Sequence, residues 1–149
     1  MPIGEFCNRE VVFALRNTSI TEAAKLMRQY HVGDLVVVDV RDGNRVPVGI
    51  VTDRDIVIEV IATSLPLNEF TVGDIMSPQL ISVHEKKGIV ETIRIMRANG
   101  IRRLPVINQD GGLEGIVSAD DILDLLAEEI TELAKVAPRE QVREARIRI

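Results

Sequence analysis

A hydroxyl followed three residues later by a carboxylate, set where an apolar run meets a helical pattern, can hold a sugar phosphate. This chain carries the arrangement twice, in Gly49-Ile50-Val51-Thr52-Asp53-Arg54-Asp55-Ile56 and in Gly115-Ile116-Val117-Ser118-Ala119-Asp120-Asp121-Ile122. A helix N-terminus presents backbone N–H groups with no intrahelical partner and a partial positive charge, so a phosphate can sit there. The hydroxyl of Thr52 or Ser118 can donate to that phosphate, and the carboxylate of Asp55 or Asp121 can accept both hydroxyls of a ribose diol. The same residues also read as helix capping boxes with aspartate at the third helical position, which is the structural explanation of any single copy. Duplication sets the ligand-binding reading beside it. Arg54, in the first turn next to Thr52, adds positive charge, whereas the corresponding residue of the second copy, Asp120, adds negative charge.

Other chemistries find less support. Cys7 is the only cysteine, and His31 and His84 occupy unrelated places in the two halves. No nucleophile–base pairing and no metal-type spacing follows from these, so the expectation is a protein without catalytic or metal-ligating residues that requires no cofactor. A net charge of −5 argues against a dedicated nucleic-acid binder. The arginines of the C-terminal stretch (Arg139, Arg143, Arg146, Arg148) are diluted by Glu140 and Glu144. The single cysteine fits a reducing compartment, no apolar run approaches the length of a membrane span, and no signal pattern opens the chain, so the cytoplasm is the expected location. With 46% apolar residues, 149 residues suffice to bury a core without disulfide or metal support.

The elements that position the two motifs form a repeat. Glu10 to Ala14 reads as a short strand, and Ser19 with Glu22 is a capping box for a helix running to about Tyr30. Ile20, Ala23, Ala24, Met27 and Tyr30 give that helix its inward face. Asp34 to Val40 is a branched apolar run of strand length without alternation, which predicts a strand buried on both faces. Turn residues Arg41-Asp42-Gly43-Asn44 lead to a returning strand, Val46 to Val51, and Thr52 opens a helix carrying Ile56, Val57, Val60 and Ile61. The unit then restarts: Leu80 to Val83 matches the first strand and Ile89 to Asn99 the first helix, with Gly88 at the cap. Val32 pairs with Ile101 and Leu35 with Leu104 at an offset of 69, while Gly49 pairs with Gly115 at 66, the difference falling in a hairpin. A unit of about 60 residues cannot comfortably bury its own apolar faces, so two copies are expected to pack on each other as one domain. The expected divisions are a first repeat over 6–62, a linker over 63–74, a second repeat over 75–131 and a charged tail over 132–149. Pro138 breaks or restarts the last helix, and beyond it an appended helix and an extended arm are both open.

With the duplication, the two Gly-apolar-apolar-(Thr/Ser)-x-x-Asp turns, Ile101-Arg102-Arg103-Leu104-Pro105-Val106 and Thr71-Val72-Gly73-Asp74-Ile75-Met76, the sequence resembles a CBS-domain pair, or Bateman module, over residues 6 to about 131. That resemblance implies an α/β (α+β) fold of tandem β-α-β-β-α repeats related by a pseudo-twofold axis. It implies a regulatory, non-enzymatic module binding adenosine-containing ligands (AMP, ADP, ATP, NAD or S-adenosylmethionine) in clefts between the repeats, acting as a homodimer and signalling to a partner protein. Thr52, Asp55, Ser118 and Asp121 match ribose and phosphate contacts. Arg102 and Arg103 match a phosphate-binding junction, although surface charges are the simpler reading of one of them. Val11, Val12, Val32 and Gly33, with Ile81 and Ile101 opposite, match positions lining the adenine slot. The three cations Arg54, Arg102 and Arg103 around one motif, against Asp120 beside the other, predict a tighter nucleotide site at Thr52/Asp55. A structural adaptor with empty clefts is the competing reading.

Overall fold

The computed structural model describes residues 1–77 and 79–148. Each half builds a three-stranded sheet of the same topology. In the first, β1 (Phe13–Leu15) runs parallel to β2 (Asp34–Arg41), and β2 runs antiparallel to β3 (Asn44–Thr52). The helix α2 (Ile20–Tyr30) joins β1 to β2. Its cap is the expected one, with the Ser19 hydroxyl accepting from the Glu22 N–H at 3.0 Å. Ile20, Ala23 and Met27 are buried. Ala24 and Tyr30 lie at the two edges of that narrow stripe and are exposed. Leu35 to Val38 are buried without alternation, as a strand covered on both faces requires. Asp42 and Gly43 both take positive φ in the two-residue hairpin that follows, the conformation that matches strand twist.

The second sheet repeats this order with β4 (Val83–His84), β5 (Arg103–Ile107) and β6 (Leu113–Ser118), and α5 (Ile89–Asn99) links β4 to β5. The duplication extends to irregularities. A register shift lies between Val37 and Val38 in β2 and between Val106 and Ile107 in β5, at the same offset of 69. The left-handed residues closing α2 and α5, His31 and Gly100, share that offset. The first strand of each half is shorter than its apolar run: Glu10 to Val12 and Leu80 to Ser82 precede the ladder rather than join it.

The two C-terminal helices differ. From Thr52 a short α3 (Asp53–Asp55) passes into a π-helical segment, Ile56–Ile61, whose wider turn buries Ile56 and Val60 and leaves Val57, Ile58 and Ile61 exposed. In the second half α6 (Ala119–Ala134) is a regular helix of four turns, and α7 (Val136–Ile147) follows after Lys135. The tail is therefore helical, and the break falls at Lys135 because Pro138 offers no N–H to the Ala134 carbonyl and its ring crowds that group.

Two short helices interlock the halves. The first, α1 (Ile3–Phe6), belongs by position to the first half but packs on the second sheet; α4 (Val72–Ile75), which straddles the expected boundary between linker and second repeat, packs on the first. Ile3 donates to the Lys87 carbonyl at 2.7 Å and Gly4 to that of Glu85 at 2.8 Å, while Val72 and Gly73 donate to Thr18 and Arg16 at 2.9 and 3.0 Å. Ile3 and Val72 are fully buried, each in the core of the opposite half. At the ends of these segments Cys7 lies on Gly115 and Met76 on Gly49, so close that an added Cβ would meet either sulfur at 2.5 Å. That contact explains the glycine heading both motifs. At Gly115 the Cβ would also meet the backbone oxygen of Asn8 at 2.7 Å, whereas at Gly49 every near atom belongs to the flexible Met76 side chain. Gly115→Ala is therefore expected to cost about 1–3 kcal/mol and Gly49→Ala clearly less. Urea midpoints of the two variants check this; equal losses would show that the backbone contact is not the limiting one.

Candidate functional site

Strand β3 ends on Thr52, whose β-branched side chain suits the sheet and whose hydroxyl then caps the helix. Thr52 Oγ1 accepts from the Asp55 N–H at 3.0 Å, and Asp55 Oδ2 accepts from the Thr52 N–H at 2.9 Å. Each group keeps capacity: the hydroxyl can still donate, and the second carboxylate oxygen can still accept. Ser118 and Asp121 repeat the box at 3.0 and 3.2 Å. The capping explanation of the motifs is thus correct as local structure, and it leaves ligand-facing atoms available.

Around Thr52 and Asp55 the two halves enclose a cavity of about 290 Å³. Ile50, Thr52, Asp55 and Asp34 line it from the first half; Leu80, Ile81, Ile101, Arg102 and Arg103 face them from the second, with Ser77 and Gln79 at the segment joining the two. Six of the residues expected at the site, Thr52, Asp55, Ile81, Ile101, Arg102 and Arg103, come together here. Apolar walls from Ile50, Leu80, Ile81 and Ile101 suit a flat base, and the hydroxyl, carboxylates and guanidinium groups supply polar contacts at the rim.

The remaining expected residues lie elsewhere. Val11, Val12 and Val32 line a separate cavity of about 630 Å³, and Asp121 lines another of about 360 Å³ with Phe6, Asn8, Asp124, Leu125 and Glu128. Asn8 borders both, so the second cleft is divided where the first is continuous. The internal offset explains the separation. Val11, Val12, Val32 and Gly33 are equivalents of Leu80, Ile81, Ile101 and Arg102, and therefore belong with the second motif instead of facing Ile81 and Ile101. Gly33 and Ser118 line none of these three cavities. Arg54 is exposed and also lines none of them. Applying the offset in both directions would have found Leu80 from Val11 and Ser77 from Asn8.

Charge placement also differs from expectation. Arg102 donates to Asp120 at 2.9 Å, an exposed ion pair that occupies one of the three expected cations and neutralises the aspartate expected to repel phosphate from the second cleft. In its place Asp124 and Glu128 stand beside Asp121, and among the described residues no cation lines that cavity. In the first cleft Arg103 Nε lies 3.6 Å from Asp34 Oδ2. These two residues are equivalents at the offset of 69, so the pseudo-twofold axis passes between them. The Asp34 side chain is 11% exposed, and its Oδ2 has no hydrogen-bond partner among the described residues. Burial pushes the Asp34 carboxyl above its ordinary value; Arg103 pulls it back, and Asp53 raises it again.

A raised folded-state pKa means that the folded protein takes up this proton more readily than the unfolded chain. The charged carboxylate therefore weakens folding above that pKa, and the penalty is relieved as pH falls through it. Arg103→Ala removes the compensating cation and is expected to cost about 1 kcal/mol near pH 7, discounted because Arg103 is half exposed. The loss should shrink on acidification and vanish in an Asp34→Asn background. A double-mutant cycle by urea denaturation at two pH values tests the coupling; additive losses at both would show that the pair does not interact.

Comparison with known proteins places these features. A sequence profile of the CBS domain matches residues 3–62 and 72–128. An uncharacterised protein of Methanopyrus kandleri, MK0525, is 37% identical over 123 residues, 83% of this chain; the chain spans 61% of that protein's length. Among solved structures, the CBS domain pair of protein MJ0100 in complex with 5-methylthioadenosine and S-adenosyl-L-methionine superposes with a TM-score of 0.71 at 28% identity, covering 85% of this chain and 99% of that one. The CBS domain protein PAE2072 of Pyrobaculum aerophilum, complexed with AMP, gives 0.72 at 26% identity over 81% of this chain and 89% of that one. With both profile matches falling on the two halves that exchange α1 and α4, the chain belongs to the CBS-domain family as a tandem pair.

Proposed function

We propose that the chain is a cytoplasmic, non-enzymatic regulatory module that binds an adenosine-containing ligand, with AMP, ADP or ATP foremost, in the Thr52/Asp55 cleft. The observation that carries this reading is the single cavity joining Thr52 and Asp55 of one half to Ile81, Ile101, Arg102 and Arg103 of the other. The ribose diol meets Asp55, the base lies between Ile50, Leu80, Ile81 and Ile101, and phosphate meets the Thr52 hydroxyl and the guanidinium groups. The AMP and S-adenosylmethionine complexes of similar pairs support the ligand class. Because the cavity is walled by both halves, occupancy biases their relative packing, which a partner protein then reads. S-adenosylmethionine is the second reading, favoured by the complex of the similar MJ0100 pair with that compound. The exposed Val57, Ile58 and Ile61 of the π-helical segment and Val90, Ile93, Leu123 and Leu126 of the second half support a homodimer.

The second cleft, divided and lined by three carboxylates, is the weaker nucleotide site. Calorimetric titration with AMP is expected to lose its tighter event in Asp55→Ala and keep it in Asp121→Ala; the opposite pattern reverses the assignment. A ligand at 100 times its dissociation constant adds about 2.7 kcal/mol of stability, or roughly 5–10 °C in melting temperature. An unmoved transition with AMP, ATP, NAD and S-adenosylmethionine alike would favour the adaptor reading. Arg103→Ala should weaken AMP about tenfold or more relative to adenosine, the worth of one charge-assisted contact. Equal losses for nucleotide and nucleoside would remove Arg103 from the phosphate site.

A further inference from the structure

The charges lining the Thr52/Asp55 cleft sum to zero, with Asp34 and Asp55 set against Arg102 and Arg103. Both guanidinium groups already face a carboxylate: Arg102 donates to Asp120 at 2.9 Å, and Arg103 Nε stands 3.6 Å from Asp34 Oδ2. A phosphate entering the cleft must therefore share a cation with an acidic residue or take it away. The two acidic residues tolerate that loss differently. Asp120 is 66% exposed, so water can replace Arg102 there. Asp34 is buried, its Oδ2 has no hydrogen-bond partner, and Arg103 is its one ion-pair partner among the described residues.

Strand register decides which pair the phosphate meets. Asp34 stands opposite Thr52 in the β2–β3 ladder, where facing Cβ atoms lie about 5 Å apart. A phosphate accepting from the Thr52 hydroxyl therefore lies against Asp34 and Arg103. The surroundings do not relieve the carboxylate. Asp53 and Asp55 of α3 are acidic, Arg54 of the same helix is exposed and not among the residues lining the cleft, and Arg102 is engaged with Asp120. Burial is the main cause that holds the Asp34 carboxyl above its ordinary value; Arg103 lowers it, and Asp53 raises it again. A bound phosphate brings negative charge and competes for the guanidinium, and both effects favour the protonated carboxyl.

We infer that Asp34 is the charge-selecting residue of this cleft: a phosphate at Thr52 draws Arg103 from Asp34, whose carboxylate takes up a proton from solvent, so nucleotide binds with proton uptake and nucleoside without it. This rests on the phosphate lying at Thr52 and Arg103, as proposed above. Where a proton is taken up on binding, affinity falls as pH rises. Above the pKa that the Asp34 carboxyl has in the complex, its charge opposes the phosphate in full. Below the pKa that it has in the free protein, the group is protonated in both states and opposes nothing. Adenosine, which is neutral and leaves Arg103 in place, feels neither regime.

Calorimetric titration of the full chain with AMP and with adenosine, over about pH 5 to 8, tests this. Asp34→Asn keeps the size and shape of the side chain and removes its charge. Near the upper limit it should bind AMP about tenfold more tightly than the wild type, with adenosine unchanged, and the advantage should shrink as pH falls. The phosphate of AMP titrates at about pH 6, but that is common to both proteins and cancels in their ratio. In buffers of different ionisation enthalpy, the wild type should take up more protons per AMP than Asp34→Asn. Asp42→Asn makes the same change of net charge at the hairpin, about 25 Å along β2, at a positive φ that asparagine tolerates. It should leave AMP affinity unaltered, because that distance exceeds the screening length. An equal gain in Asp42→Asn would assign the effect to net charge and overturn the inference. AMP affinity unchanged or reduced in Asp34→Asn, or a gain that persists on acidification, would overturn it too and leave the nucleotide reading standing. Failure of the wild type to bind AMP at any pH would overturn both.

Discussion

Two sulfur atoms resting on two glycines hold this architecture together. Cys7 on Gly115 and Met76 on Gly49 end the segments that each half extends into the other, and they do so within the strands leading to Ser118 and Thr52, three residues before each hydroxyl. Because Ile3 and Val72 complete the core of the opposite half, neither sheet has a full core without the other's segment. At Gly115 the Asn8 backbone leaves little room for adjustment, whereas at Gly49 the flexible Met76 side chain can give, so the two contacts hold the halves together with unequal stiffness.

Much of this was legible in the sequence because it repeats. Constant offsets of 69 and 66 identified the tandem organisation and the two motif turns, while the Ser19 cap followed from Glu22 three residues on and the buried run at Leu35 to Val38 from its lack of alternation. Single-residue periodicity was less reliable at the edges of elements. Ala24 and Tyr30 fit a helical spacing but sit on the margins of a narrow buried stripe, and Glu10 to Val12 look like strand yet leave the ladder before it forms. The short helices α1 and α4 were hidden for a different reason: four residues carry too little pattern to show a face, and their burial arises from a segment lying far away in the chain.

The site was half legible. Thr52, Asp55 and the junction arginines were picked out by type and line one cavity, but which residues face one another across a cleft is a property of the pseudo-twofold packing. Val12 and Ile81 are equivalent positions away from the axis, so the twofold places them at different cavities, whereas Asp34 and Arg103, equivalent and beside the axis, line the same one. Ionic partners were equally beyond reach. Arg102 turns back to Asp120 of its own half, and the carboxylate of Asp34 approaches Arg103 only because both stand at the junction between halves.

That junction also governs how much the two clefts can resemble each other. A residue on a true twofold axis meets its own image, so a charge there would face an identical charge and the position would have to be neutral or self-complementary. A tandem chain escapes this constraint, since the two images are encoded separately, and here one has become Asp34 and the other Arg103. Once the axis carries a dipole in place of a symmetric pair, its positive end belongs to one side of the molecule and its negative end to the other. The two halves then experience opposite local fields from a single contact, and a molecule built by repetition acquires a direction.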